Sequence, residues 1–535
     1  MIAFAKQVFV IAVVLLSFLC MVSCSAQDMT PVENQDNEKT SQVTYTAIAN
    51  PSLTPIPKLT QEPSLVSTEQ PPPTPPPSPS ATDEIQGGRQ VTENLVLQLK
   101  EDKPERTFYI SPDGSRFAYT VAEGEMIYMV LDGDEGERYD EISEATFSPD
   151  SQHLAYIARV GETEFVVYDG TALPAYDEII TPNGSSNSDA LHFSPDSQRI
   201  AYRAYLGNAP RLIIDGEEYT YAGIGFEIAF SPDSQHVAFI AGNLNDEWFV
   251  VIDGVESQKY DAIMYDSMVY SPDSQHFAFQ GKRGGAWFVV VDGQGSDPWD
   301  ISPIGFNFIF SPDSQHFAYI VENNDGWFIV LDGVELKTYE SANEPVFSPD
   351  SQHFAYKANQ GDEWFVVLDN IEGKSYDGWP VSISFSPDSQ KLAYIVETDD
   401  QEFLVLDGEE YEPYQQTKNL TFSPDGQRIA YKVYDGEMWY MIVDDEKTKG
   451  YPSISNFFFS PDSKHTVFLS DFEDGQRSGD AVIVDGVPGK VYDMITWRMV
   501  LHGMDKYRLF FDTEGNLIYY ALLDNGVYLI KDSLD

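Results

Sequence analysis

The chain of 535 residues is poor in cysteine and in positive charge. Its two cysteines, Cys20 and Cys24, both lie in the first apolar segment, so we expect no disulfide and no thiolate metal site in the folded body. Lys and Arg number 32 against 86 Asp and Glu. The resulting net charge of -54 opposes binding to nucleic acids and to anionic membrane surfaces.

The motifs by which many enzymes are recognised are also missing. The sequence contains no Gly-x-Ser-x-Gly elbow, no His-Glu-x-x-His, no phosphate loop and no dinucleotide fingerprint. We therefore assign no catalytic residue, no cofactor and no metal ligand. Catalysis by scattered carboxylates stays open as an alternative, because with so many acids no particular pair stands out.

The first 24 residues resemble an export signal. Lys6 precedes an apolar run over residues 8–23, which is too short to span a membrane comfortably and ends in small residues. The stretch 21–24 resembles the cleavage box of bacterial lipoproteins, with Met21 where Leu is commonest. That resemblance implies a signal peptide over residues 1–23 and lipid attachment at Cys24. Ordinary cleavage nearby and an uncleaved anchor are the alternatives, and all three place the body outside the cytoplasm.

Residues 24–91 are predicted to be a disordered linker. This segment is rich in Pro, Thr, Ser, Glu and Gln, and residues 71–79 contain seven prolines. Such a composition cannot form a core, and polyproline II extends by about 3.1 Å per residue, so the segment suits a stalk. A disordered leader without a spacing role is the alternative.

The remaining residues, 92–535, are built from a repeat. The tripeptide Ser-Pro-Asp starts at residues 111, 148, 194, 231, 271, 311, 348, 386, 423 and 460. An eleventh, degraded copy follows over residues 511–520. Regular spacing of 37 to 46 residues indicates a repeat architecture rather than separate domains.

Each repeat predicts a four-stranded meander. Ser-Pro-Asp-Ser suits a type I turn, and Asp-Gly between β-rich runs is a strong signal for a two-residue hairpin. The two middle strands are apolar without alternation, which predicts that both of their faces are buried. Four-stranded sheets of about 40 residues that stack around an axis form a β-propeller.

The repeats resemble the WD-like, TolB-type propeller repeat of exported bacterial proteins, whose core appears here over residues 422–431. The resemblance implies an all-β fold of about eleven four-stranded blades and is nearly silent on function. Because eleven exceeds the usual four to eight blades of one ring, we favour two adjoining rings over a single large ring. Residues 94–99 are predicted to supply the strand that the last repeat lacks.

Three recurrent residue positions invite functional interpretations. Six histidines share one repeat position with Arg and Lys, which cannot replace metal ligands, so we interpret them as solvated residues beside turns. A Trp that often starts the third strand is interpreted as blade packing, with ligand stacking as the alternative. A recurrent Tyr-Asp pair is interpreted as a packed Tyr with a turn-capping Asp, and a cation-attracting rim is the alternative.

These features predict a surface-anchored, non-catalytic propeller that binds a protein, peptide or glycan outside the cytoplasm. The alternative is an extracellular carbohydrate-active enzyme, a hydrolase or lyase, that uses carboxylates in the propeller funnel. A periplasmic assembly factor like TolB is a third possibility, which the stalk disfavours. The membrane is expected to be contacted through the lipid anchor alone, and nucleic acid is not expected as a partner.

Overall fold

The computed structural model describes residues 82–86, 89–98, 107–181, 190–299, 308–473, 478–495 and 509–534. All helical or strand structure in these residues is β-strand, in agreement with the all-β prediction. The strands form eleven antiparallel sheets, which we number as blades 1 to 11 in chain order. In blades 1 to 10 the chain runs from an inner strand through a second and a third strand to an outer strand.

The strand bounds of blades 1 to 5, from inner to outer, show how regular the repeat is. Blade 1 contains Phe108–Ile110, Phe117–Glu123, Met126–Leu131 and Asp134–Tyr139. Blade 2 contains Glu141–Phe147, Leu154–Val160, Thr163–Tyr168 and Thr171–Ala172. Blade 3 contains Glu178–Ile179 with Leu191–Phe193, Ile200–Leu206, Ala209–Ile214 and Glu217–Thr220. Blade 4 contains Gly223–Phe230, Val237–Gly242, Trp248–Ile252 and Val255–Glu256. Blade 5 contains Ala262–Ile263 with Val269–Tyr270, Phe277–Arg283, Ala286–Val291 and Gln294–Gly295.

Blades 6 to 10 repeat the same order. Blade 6 contains Ile309–Phe310, Phe317–Asn323, Gly326–Leu331 and Val334–Glu335. Blade 7 contains Ser341–Phe347, Phe354–Gln360, Glu363–Leu368 and Ile371–Glu372. Blade 8 contains Trp379–Phe385, Leu392–Glu397, Glu402–Leu406 and Glu409–Glu410. Blade 9 contains Gln416–Phe422, Ile429–Tyr434, Trp439–Val443 and Glu446–Lys447. Blade 10 contains Ser455–Phe459, Thr466–Glu473, Ser478–Val484 and Val487–Tyr492.

The turns have the predicted conformations. Ser-Pro-Asp joins the inner strand to the second strand, and the N–H of Ser351 donates to the carbonyl of Ser348 at 2.8 Å. Asp-Gly joins the third strand to the outer strand, with φ of 52° at Asp332 and 77° at Gly333. Two successive residues at positive φ define the type I′ turn, whose twist matches the flanking strands.

The core lies between blades rather than inside any one sheet. The second strand of blade 6 buries Ala318 and Ile320 against Phe354 and Tyr356 of blade 7. Equivalent clusters join each blade to the next along the chain. Since each full burial of a large apolar side chain is worth about 1.5–3 kcal/mol, face-to-face stacking is what stabilises these sheets.

Blade 11 is completed by the beginning of the folded region, as predicted. Its strands Met494–Ile495 with Phe510–Phe511, Leu517–Leu523 and Gly526–Asp532 come from the end of the chain. Arg89–Gln98 then pairs antiparallel with Gly526–Asp532, and Thr82–Gln86 adds a fifth strand outside it. The described strands therefore begin at Thr82, ahead of the boundary predicted at residue 92.

Blade 11 packs on blade 10 through one cluster and on blade 1 through another. The eleven blades thus lie in a ring and form a β-propeller. Within the described residues the clusters join consecutive blades, so the preference for two adjoining rings draws no support from this packing.

Candidate functional site

The Ser-Pro-Asp motif forms a closed hydrogen-bond network in each turn. In blade 6 the buried Ser311 donates its hydroxyl to Asp313 Oδ1 at 2.6 Å and accepts the N–H of His316 at 2.9 Å. Asp313 Oδ1 also accepts the N–H of Gln315 at 3.0 Å. These hydrogen bonds hold the pKa of Asp313 below its usual value. The motif therefore acts as a structural turn.

The fourth residue of this turn links neighbouring blades. The backbone N–H of Asp313 in blade 6 donates to the Oγ of Ser351 in blade 7 at 3.0 Å. Ser351 is buried and adopts a φ of 60°. The same inter-blade bond is accepted by Ser151, Ser197, Ser234, Ser274, Ser314, Ser389 and Ser463. We call these eight residues the latch serines.

The six recurrent histidines lie within hydrogen-bond distance of the Asp residues of the Asp-Gly turns. His316 Nδ1 lies 2.7 Å from Asp332 Oδ2, while Asp332 Oδ1 accepts the N–H of Phe317. The other five pairs are His153–Asp169, His236–Asp253, His276–Asp292, His353–Asp369 and His465–Asp485. The histidines are thus partly exposed beside turns, as predicted, but each is held by an Asp that the sequence did not assign to it.

Arginine takes over this role in three blades. Arg116, Arg199 and Arg428 donate through Nε to Asp132, Asp215 and Asp444. Their guanidinium groups lie over Phe147, Phe230 and Phe459 of the next blade. The position therefore requires a cation or hydrogen-bond donor. In the described residues no three His, Cys, Asp or Glu side chains are grouped as a metal site requires.

The recurrent Trp and Tyr-Asp residues also have structural roles within and between blades. Trp248 exchanges backbone hydrogen bonds with Tyr260 at 2.8 Å, and both side chains contribute to the cluster between blades 4 and 5. Asp261 Oδ2 accepts the N–H of Gly284 at 2.8 Å, which caps the turn between the second and third strands. Asp140 and Asp177 cap Gly161 and Gly207 in the same way. These contacts support blade packing by Trp and confirm turn capping by Asp.

The inner strands, which line the channel of a propeller, differ more from blade to blade. In blades 2, 7, 8, 9 and 10 each inner strand has a β-bulge four residues before the Ser of Ser-Pro-Asp. We call this place the bulge position. In those five blades it holds Glu144, Glu344, Ser382, Asn419 and Asn456, all at positive φ.

A second position, which faces the next blade, alternates in polarity with a period of two blades. It lies on the second strand, nine residues after the same Ser, and we call it the facing position. Polar residues occupy it in blades 1, 3, 5, 7 and 9: Thr120, Arg203, Gln280, Lys357 and Lys432. Apolar residues occupy it in blades 2, 4, 6, 8 and 10: Ile157, Ile240, Ile320, Ile395 and Leu469. Among the first ten blades, polar residues therefore occupy the facing position in the odd-numbered blades alone.

Arg203 of blade 3 is the most unusual residue at the facing position. It is only 2% exposed, and among the residues that the structure describes neither of its terminal guanidinium nitrogens has a hydrogen-bond partner. Its guanidinium carbon lies 4.4 Å from the ring centre of Phe226 in blade 4, and Phe226 is 50% exposed. Burial lowers the pKa of Arg203 to about 10, so the group is still cationic at neutral pH.

Lysines at the facing positions of blades 7 and 9 have partners. Lys357 Nζ donates to Glu344, which occupies the bulge position of the same blade. Lys432 Nζ donates to the carbonyl of Ile454 in blade 10 at 3.2 Å. Arg203 thus differs from them in lacking an oxygen partner.

Glu227 and the segment 264–268 lie next to Arg203 along the ring. Glu227 occupies the bulge position of blade 4, and its Oε1 accepts the N–H of Met268 in blade 5 at 2.9 Å. Its other carboxyl oxygen is buried and has no partner. Burial, with a smaller contribution from Asp266, raises the pKa of Glu227 to about 7. The carboxyl is therefore partly protonated near neutral pH.

We treat Arg203, Phe226, Glu227, Tyr265 and Asp266 together as the candidate site. Blades 3, 4 and 5 contribute these residues, and Tyr265 is close enough to act electrostatically on Arg203. The site combines a buried cation without a partner, an exposed aromatic ring and carboxyl groups with raised pKa. Such a combination can bind a polar ligand. The cation and the carboxyl groups would attract opposite ends of the ligand and so fix its orientation.

Sequence reasoning did not single out these residues. The alternation at the facing position is visible in the printed sequence, with Arg203 following Ile-Ala-Tyr exactly where Ile395 follows Leu-Ala-Tyr. The second strands are apolar at their other positions, so their sequence indicates packing more strongly than ligand binding. The lipid-attachment residue predicted from the sequence, Cys24, lies outside the described residues. Within the described residues no helix is long and apolar enough to span a membrane.

A groove lies on the outer side of blades 7 and 8. It has a volume of about 430 Å³ and is lined by Val366, Leu368, Ile371, Lys374, Leu392 and Tyr394. These residues belong to the regular repeat, and a groove between equivalent strands recurs at blades 9 and 10. The groove is therefore a product of blade stacking.

Comparisons with known proteins add little to this geometry. No family model matches the chain, and no curated protein matches it. The chain is similar to solved structures of a eukaryotic initiation factor, of TolB from Acinetobacter baumannii and of the tricorn protease.

The initiation factor has 15% identity and a TM-score of 0.36, with 62% of this chain and 96% of that chain covered. TolB has 15% identity and a TM-score of 0.22, with 48% and 77% covered. The tricorn protease has 11% identity and a TM-score of 0.27, with 80% and 55% covered. TM-scores this low do not define a fold. The propeller fold is established by the strand pairing of this chain.

Proposed function

We propose that this protein is a non-catalytic binding propeller, displayed outside the cytoplasm through a lipid on Cys24. Its ligand is a protein, peptide or glycan that contacts the channel side of the blades. The observation that supports the proposal is that, among the described residues, the recurrent polar residues have hydrogen-bond partners within the blades, whereas one buried charged residue does not. The recurrent Ser, Asp and His residues are engaged in hydrogen bonds of the frame, whereas Arg203 is a buried charge without a partner.

The anchor and the binding role are tested separately. The full chain expressed in a bacterial host should incorporate an alkyne-labelled fatty acid and sediment with membranes, and Cys24→Ser should abolish both. Cys20→Ser is the matched control, because it changes a cysteine in the same apolar segment and should keep the label. Labelling that persists in Cys24→Ser would overturn the anchor.

Binding is tested with immobilised glycans and peptides against the purified chain. We expect retention of specific members of the panel without chemical change to them, as judged by mass spectrometry of the recovered ligands. Retention that is unaffected by Arg203→Met, Phe226→Ala and Glu227→Gln together would place binding elsewhere on the molecule.

A carbohydrate-active hydrolase or lyase is the second candidate function. Glu227 favours it, because a carboxyl with a pKa of about 7 can serve as a general acid at neutral pH. Asp266 of the next blade has a pKa raised by burial as well. Turnover of a polysaccharide that Glu227→Gln abolishes, while binding is retained, would replace the non-catalytic proposal with this one.

A further inference from the structure

The geometry points to Arg203 as the binding residue for a carboxylate group of the ligand, with Phe226 as its cover. This inference rests on the proposed binding role and names the chemistry that the candidate site recognises. The ligand class is a peptide, glycan or small molecule that carries a free carboxylate.

The first argument is the cost of the unpaired charge. Arg203 is 2% exposed, and both of its terminal nitrogens are buried without a partner. A buried cation destabilises a protein strongly unless it is paired and hydrogen-bonded. A ligand that supplies two oxygen atoms would satisfy both nitrogens at once, because guanidinium and carboxylate match in a bidentate geometry.

The second argument comes from blade 7, where the same arrangement is complete. Lys357 at the facing position is paired with Glu344 at the bulge position. In blade 3 the bulge position holds Ala190, a buried residue that has no carboxylate to offer. Within the described residues, blade 3 therefore keeps the cation and has no counterpart at the bulge position to the carboxylate of Glu344 in blade 7.

The third argument concerns access. The guanidinium of Arg203 is shielded on one face by the ring of Phe226, at 4.4 Å, in a cation–π contact. Phe226 itself is half exposed, so part of its ring already faces solvent. Rotation of this ring would uncover the guanidinium without moving a strand.

A carboxylate suits the site better than a phosphate group. Asp266 and Glu227 contribute carboxyl groups to the neighbouring blades, and the chain as a whole carries a net charge of -54. A group with two negative charges would be repelled more strongly than one with a single charge. The partner found in blade 7 is itself a carboxylate.

Propionate is the probe, and the neutral propionamide is its matched control. Thermal unfolding of the full chain is followed while either compound is added, with sodium chloride balancing ionic strength. We expect propionate to raise the melting temperature in a concentration-dependent manner and propionamide to leave it unchanged, because a ligand that binds the native state alone stabilises it.

Four variants decide the assignment. Arg203→Met should raise the melting temperature of the free protein and abolish the propionate response. Arg203→Lys should retain a weaker response, because it keeps the charge and loses the bidentate geometry. Phe226→Ala should strengthen the response by removing the cover, and Lys357→Met in blade 7 should leave it intact.

Two results would overturn the inference. One is a propionate response in Arg203→Met equal to that of the parent chain. The other is the absence of a response in both the parent chain and Phe226→Ala. Either result is compatible with binding of other ligands in the glycan and peptide panel, so this inference fails independently of the proposed function.

Discussion

Two buried arginines, Arg89 in blade 11 and Arg203 in blade 3, stand in different electrostatic situations. Arg89 closes the ring, with its Nε 3.0 Å from Asp532 Oδ1 in blade 11. Arg203 of blade 3 is 2% exposed, against 8% for Arg89, and both of its terminal nitrogens are buried without a partner among the described residues, whereas Arg89 has one such nitrogen, Nη2. The difference indicates that one cation serves the fold and the other serves a ligand.

Asp532 shows what pairing inside this protein costs. Burial raises the pKa of Asp532, and Arg89 lowers it by a smaller amount. Desolvation thus exceeds the attraction between the two groups, which is typical of buried ion pairs. Breaking such a pair from one side is nevertheless costly, because the remaining charge stays buried.

The largest effect is expected at the ring closure. Asp532→Ala should lower the free energy of unfolding by about 3–5 kcal/mol, since Arg89 would be left buried and unpaired. Denaturant titration of the full chain measures this. Arg89→Met combined with Asp532→Leu should recover most of the loss, and a double variant as unstable as Asp532→Ala would contradict the electrostatic explanation.

The opposite sign is expected in blade 3. Arg203→Met should raise the free energy of unfolding by about 1–4 kcal/mol, because it replaces an unpaired buried charge by an apolar side chain of similar length. The same denaturant titration applies, with Arg283→Met, an exposed position, as control. A loss of stability would show that Arg203 serves the fold as Arg89 does.

Glu227 sharpens the comparison through pH. Its folded-state pKa of about 7 lies above the unfolded value, so the unfolded chain releases this proton first and stability falls as pH rises from about 4.5 to 7. Glu227→Gln should therefore add on the order of 2 kcal/mol at pH 8 and nothing at pH 4. Urea unfolding at both pH values tests this.

The exposed Glu363→Gln in blade 7 is the control for that experiment. It should change stability little at either pH. An equal gain for Glu227→Gln at pH 4 and pH 8 would mean that the effect comes from packing rather than from ionisation.

A smaller effect is expected at the latch serines. Ser351→Ala removes the acceptor for the backbone N–H of Asp313 and should cost about 1 kcal/mol. The change is measured by chemical denaturation beside Ser478→Ala, an exposed serine in blade 10. Equal stabilities of the two variants would show that the inter-blade bond contributes nothing measurable.

The smallest effect concerns the surface as a whole. With a net charge of -54, added salt should raise the melting temperature modestly by screening repulsion between acids. Scanning calorimetry between low and moderate ionic strength measures this. An unchanged melting temperature would show that local ion pairs such as Arg199–Asp215 already compensate the acids.

The sequence was informative wherever local chemistry decides structure. Ser-Pro-Asp and Asp-Gly specify turns within four residues, and the apolar strands between them specify burial on both faces. Residues 94–99 were also correctly predicted to complete the last blade, since a strand missing at one end needs a counterpart at the other. The partners of His316 or Asp313 were not predicted, because they lie one hairpin or one blade away.

What the sequence alone determined is the repeat, the blade and the all-β class, because turn preference and strand burial are properties of neighbouring residues. Only the tertiary structure decided that Arg89 meets Asp532 across 443 positions of chain, and that neither terminal nitrogen of Arg203 meets a carboxylate of the described residues. Pairing between distant residues depends on how blades stack around the ring. The role of a buried charge therefore depends on the groups that surround it in the folded chain, and these are distant from it in sequence.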